Sequence, residues 1–199
     1  LRLLEHVHCD PKATWLLCYV ESHVRWTQRA PVAFANQFAP TGLVMSRPFR
    51  LMEASSRTRP DVTPVGTFTI NKAAPDECWL LADVLAQTLP LVYREGADLV
   101  EERLDMAEAK SYWRAAGLER DREIWVAREG GSPVAVAILE VGETGTNLFR
   151  LLDSLRLVAL QPNGEIAFLA LIEKARSWFL SRNKESFVYF WEHEDARHV

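Results

Sequence analysis

The sequence predicts an α/β layered domain of the α+β kind, a central mixed sheet with helices on both faces. Three observations predict it. Residues 124–138 alternate Ile124, Val126, Val134, Val136 and Ile138 about a Gly130-Gly131 turn, the pattern of a β-hairpin. Residues 147–160, NLFRLLDSLRLVAL, form a nearly unbroken apolar run. Such a run fits a strand buried on both faces, bent or bulged at Asp153-Ser154. After a Pro162-Asn163-Gly164 turn, Ile166, Leu169, Ile172, Ala175, Trp178 and Phe179 recur at helical spacing. Strand, glycine-containing turn and helix in succession can bring helix-terminal N–H groups to a phosphate. It is also the commonest way to build an α/β layer.

Composition narrows the field. With 199 residues, 48% hydrophobic content and seven Trp, the chain can build a real core in one large domain or two small ones. A net charge of −4 with no basic face argues against nucleic acid as a partner. No apolar run reaches the length of a membrane span and no signal peptide is visible, so the expectation is a cytoplasmic protein without a membrane partner. Cys9, Cys18 and Cys78, odd in number and unrelated in spacing, fit reduced thiols. The chain opens on Leu1 and closes at Val199 just after an apparent strand, which suggests a piece of a longer protein.

Residues 1–53 read as strand, helix, strand, strand. LRLLEHVHCD is a short apolar strand ending in a polar turn; His6, His8, Cys9 and Asp10 have no second cluster to complete a metal site, and no metal is expected. Asp10 as N-cap and Pro11 at the first position open a helix with Leu16, Val20 and Val24 on one face, and Pro31 stops it. VAFANQF and GLVMSRPFRLME then read as two strands joined by a turn. Residues 54–66, ASSRTRPDVTPVG, are polar and carry two prolines, the signature of a linker.

Residues 67–199 form the core unit. TFTINKA is a short strand. Pro75-Asp76-Glu77 opens a helix that ends at Pro90, with acidic residues complementing its dipole. Asp105 caps a second helix closed by Gly117. The hairpin, the long strand and the last helix follow, with Lys174, Arg176, Arg182 and Lys184 placed to suit the negative end of that helix's dipole. SFVYFWEHED closes the chain as another apolar strand. Trp113, Trp125, Trp178 and Trp191 fall on apolar faces and read as core.

In element order and hydrophobic pattern, TFTINKAAPDECWLLADVLA, IWVAREGGSPVAVAILE and LRLVALQPNGEIAFLALIEKARSWF resemble the GNAT superfamily of acyl-CoA N-acyltransferases. The resemblance covers about two thirds of the chain and implies transfer of an acyl group from acyl-CoA, such as acetyl-CoA, to an amine. It also implies a small-molecule or amino-group acceptor. The family holds the CoA pyrophosphate on N–H groups before the core helix, with a signature of Gln or Arg, two residues, Gly, one residue, then Gly or Ala. Gln161 and Gly164 match this pattern, and Ile166 departs from it at the last position. The resemblance thus points to Gln161, Asn163, Gly164 and Glu165 as cofactor-binding residues.

Acyl transfer needs a base for the amine and an acid for the leaving thiolate. The resemblance implies a carboxylate on a central strand, for which Asp153 and Glu140 are the candidates, and a Tyr, for which Tyr19 is the candidate. Glu192 and His193, at the end of the last strand, lie where such folds bind ligands, and an Asp153–Arg156 ion pair is the plain structural alternative. Residues 1–53 read either as the tail of a first acyltransferase-like unit or as completion of this unit's sheet. LEHVHCDPKATW and YFWEHEDARHV share strand, His, acidic turn and Ala. The partners expected are a homodimeric copy or the missing part of a longer chain. A catalytically inactive GNAT-like domain, serving as a ligand-binding or regulatory module, is the alternative function.

Overall fold

Two glycines set the hairpin. In the computed structural model Gly130 (φ 57°) and Gly131 (φ 90°) both occupy left-handed backbone space, which two-residue turns between twisted antiparallel strands require. They join β3 (Arg120–Glu129) to β4 (Ser132–Gly142) with Ile124 opposite Ile138 and Val126 opposite Val136. The structure describes residues 52–58, 66–89, 91–96, 98–142 and 153–191, with Arg29 and Ala33 as isolated helical positions. Tyr19, Glu192, His193 and the apolar helix read into residues 11–30, apart from Arg29, lie outside the described residues. Ala33, expected in a strand, is helical; alanine has the strongest helix propensity.

The remaining strands extend the hairpin on both sides. They are β1 (Met52–Ser55), β2 (Thr69–Lys72), β5 (Ser154–Ala159) and β6 (Ser186–Trp191). The sheet order is β1-β6-β5-β4-β3-β2. Every neighbouring pair is antiparallel except β5 and β6, so the sheet is mixed. A parallel pair needs a crossover, supplied here by a 3-10 turn (Gly164–Ala167) running into α5 (Phe168–Leu180). The linker boundary drawn after residue 53 falls inside β1, whose Ala54 and Ser55 pair with Phe187 and Ser186.

Helices between β2 and β3 cover one face. These are α1 (Cys78–Thr88), α2 (Leu91–Gly96), α3 (Glu101–Leu104) and α4 (Met106–Ala115). The Glu77 side chain accepts from Ala74 N at 2.7 Å at the start of α1, and Asp105 Oδ1 accepts from Ala107 N at 2.9 Å at the start of α4. Each carboxylate satisfies an N–H group that the first turn leaves open. Leu81, Leu85 and Leu104 pack there on Ile124, Val126 and Ile138. Helix α5 covers the other face, with Phe168, Leu171, Ala175 and Phe179 on Trp125, Ala137, Leu155 and Phe187. Strands buried on both faces explain the continuous apolar runs.

In α5 Ala175, Trp178 and Phe179 are buried as expected and Ile172 packs on the core, but the start of the stripe is shifted. Ile166 is 53% exposed, while Phe168 and Leu171 are buried. The cause is the 3-10 turn: it rotates each residue further than an α-helix does, so the spacing counted from Ile166 misses the sheet. The basic residues also do other work than complement the dipole. Arg176 is buried and donates from Nε to Ser55 O at 3.1 Å and from Nη2 to Ser56 O at 3.3 Å, tying α5 to the end of β1.

Candidate functional site

The turn after β5 is built against the hairpin. Gly164 N donates to Gln161 O at 2.9 Å and Ile166 N to Asn163 O at 3.1 Å. Asn163 sits at φ 69°, left-handed space that Asn tolerates better than most residues. Gln161 Nε2 donates to Pro133 O at 2.8 Å. Gly164 is buried, and a Cβ on it would collide with Val134 O while lying 3.3 Å from Ala159 Cα. The glycine therefore serves close packing of the turn on β4. The N–H groups of Gly164 and Ile166 are committed to the turn itself, and the Ile166 side chain stands exposed beside them. A pyrophosphate cradle needs N–H groups directed at the anion, and those of Gly164 and Ile166 point to carbonyls of the turn instead.

The two carboxylates expected to act as base lie elsewhere. Glu140 pairs across the ladder with Ser154, the first residue of β5, and Asp153 precedes it. The length of β5, about 20 Å at the usual strand rise, separates both from Gln161–Glu165. The structure thus brings Glu140 and Asp153 to one end of β5 and the four turn residues to the other.

Glu140 is held by a buried ionic network. Its Oε1 accepts from Arg122 Nε at 2.7 Å, from Arg122 Nη2, and from Arg120 Nη2 at 2.8 Å. Arg122 Nη1 also donates to Asp98 O and Arg103 O, both at 2.9 Å. Asp98, at φ 61°, accepts from Trp113 Nε1 at 2.7 Å and Arg120 Nη1 at 3.0 Å. Burial would raise the Glu140 carboxyl, but the charges of Arg122, Arg120 and Arg156 overcome it and hold it at about 2. A carboxylate so held is a poor proton acceptor near neutral pH. Asp153 is buried and lies 3.0 Å from Lys184 Nζ, an ion pair out of line for a hydrogen bond. Asp153 pairs with Lys184, while the Arg156 charge acts on Glu140.

A cleft of about 480 Å³ opens between β2, β3 and α5, with Ile70, Lys72, Glu123, Trp125, Lys174, Trp178 and Arg182 in its lining. Glu123 sits at its centre. Lys72 Nζ lies 3.1 Å and Arg182 Nη2 3.0 Å from Glu123 Oε1, and Trp125 Nε1 donates to Oε2 at 3.0 Å. Burial opposes ionisation here, but the Trp178 indole, Lys72 and the Trp125 N–H together hold the Glu123 carboxyl below its ordinary value. Trp178 Nε1 makes its approach without reaching hydrogen-bond geometry. Sequence reasoning missed this cleft, because its residues come from three separate segments.

The fold defines a mixed α+β sheet with one parallel crossover. No family model matches the chain, and no curated protein matches it. Among the described residues no helix is long and apolar enough to cross a membrane, and no group of three or more His, Cys, Asp or Glu is placed to hold a metal ion.

Proposed function

We propose that the chain is a GNAT-like domain that works as a ligand-binding or interaction module, not as an acyl-CoA enzyme at the β5–α5 turn. The GNAT reading rests on element order: helices between β2 and β3, an antiparallel run from β2 to β5, then a parallel pair joined through α5. The module reading is carried by one observation. Gly164 N and Ile166 N donate within the turn, so they have no free proton for a pyrophosphate. Glu140 and Asp153, engaged at the far end of β5, supply no base near that turn.

Calorimetric titration of the intact chain with CoA and acetyl-CoA tests the proposal. The expected result is no binding up to about 1 mM, weaker than about −4 kcal/mol. Saturable heat below that concentration overturns it. The second reading, an N-acyltransferase acting on an amine, is favoured by the same element order and would then replace it.

A further inference from the structure

The cleft beside β2 has a second property. Ala73 N donates to Ile124 O at 2.8 Å, and Lys72 lies opposite Trp125 in the register. Inward and outward backbone groups alternate along an antiparallel edge. Asn71 and Ala73 therefore face β3, while Ile70 and Lys72 turn their N–H and C=O groups outward. Among the described residues β3 is the only sheet neighbour of β2. Ile70 and Lys72, together with Asn71 between them, also line the cleft.

We propose that this edge and cleft receive an extended peptide bearing acidic side chains, which adds to β2 as a further strand. Main-chain pairing to Ile70 and Lys72 supplies attachment, and the cleft receives alternate side chains. Charge selects the acidic partner. Lys72, Lys174 and Arg182 line the cleft with one carboxylate, Glu123; Arg182 also pairs with Asp121, which Lys110 shares, so the surplus positive charge is that of Lys174. Lys72 and Arg182 both pair with Glu123. Among the described residues Lys174 has no carboxylate at ion-pair distance; its ammonium lies 5.8 Å from the Trp125 ring centre. A four-residue edge carrying Lys72 also resists indiscriminate strand pairing, and the lysine that repels a basic strand attracts an acidic one. This inference gives the interaction module its partner and rests on that reading. The CoA and peptide titrations probe different places, so either can fail alone.

The test titrates the intact chain with three capped hexapeptides: alternating Val and Glu, alternating Val and Lys, and the Val–Glu peptide N-methylated at alternate amides. Tryptophan fluorescence and calorimetry read binding. The Val–Glu peptide should bind, with affinity falling as salt rises. N-methylation should weaken it about tenfold or more by removing ladder hydrogen bonds. Lys174→Glu, at an exposed position, should weaken it by about tenfold with circular dichroism unchanged. No binding of the Val–Glu peptide up to about 1 mM overturns the proposal, whether the edge is filled by another segment of this chain or simply inert. Equal binding of the Val–Glu and Val–Lys peptides overturns the charge selection. Equal binding of the N-methylated peptide overturns strand addition.

Discussion

Arg122 lies across the β3–β4 ladder from Glu140 and donates to its Oε1 from Nε at 2.7 Å, with the arginine side chain fully buried. Burial lowers the pKa of the guanidinium, and Glu140 and Asp98 work against that loss. Two desolvated charges are tolerated because every arm of Arg122 has an acceptor: Glu140, Asp98 O and Arg103 O. The network fastens the α2–α4 layer to the sheet.

Glu140→Gln should leave the buried Arg122 guanidinium without its ion-pair partner, while Arg120 keeps Asp98. A loss of about 3–5 kcal/mol is expected, read as a fall in the urea midpoint at an unchanged slope. A change under 1 kcal/mol, about the value of an exposed pair, would show that the network is not holding the layers.

The same carboxylate sets an acid limit. In the folded protein it is held at about 2, below its ordinary value of 4.5. A depressed carboxyl contributes stability that is present above the unfolded value and is lost as pH falls toward the folded one. The contribution is on the order of 3 kcal/mol, lost between about pH 4.5 and pH 2. Unfolding free energy measured across that window should fall less steeply in Glu140→Gln than in the wild type.

Gly164→Ala should destabilise without any ligand present. The new methyl meets Val134 O and lies 3.3 Å from Ala159 Cα. Overpacking of this kind costs about 1–3 kcal/mol, measurable as a lowered melting temperature. A neutral substitution would mean that the turn stands off from β4. Loss of CoA affinity is not the readout, because the glycine faces the sheet.

Arg176→Met should free β1. Nε and Nη2 of Arg176 hold Ser55 O and Ser56 O, and Ser56 N donates to Glu185 O at 2.8 Å. Amide exchange at residues 53–56 should accelerate while the β3–β4 hairpin stays protected. Equal acceleration in both would mark global unfolding instead of release of one edge.

The sequence by itself determined what local chemistry decides. Gly130-Gly131 between branched residues specifies a hairpin because only such a turn matches strand twist. Asp105 specifies the start of α4 because its carboxylate reaches N–H groups two and three residues on. The second half of the apolar run marked a strand buried on both faces, Ser154–Ala159, while residues 147–152 lie outside the described residues. Tertiary structure decided the rest. Where the buried stripe of α5 begins depends on a 3-10 turn that sequence spacing does not reveal. The Arg122–Glu140 pair and the cleft depend on strand register, which sets residues distant in the chain side by side. Whether Gly164 opens toward a ligand or closes against β4 depends on how near the hairpin approaches, and Val134 settles that by standing where a side chain would be.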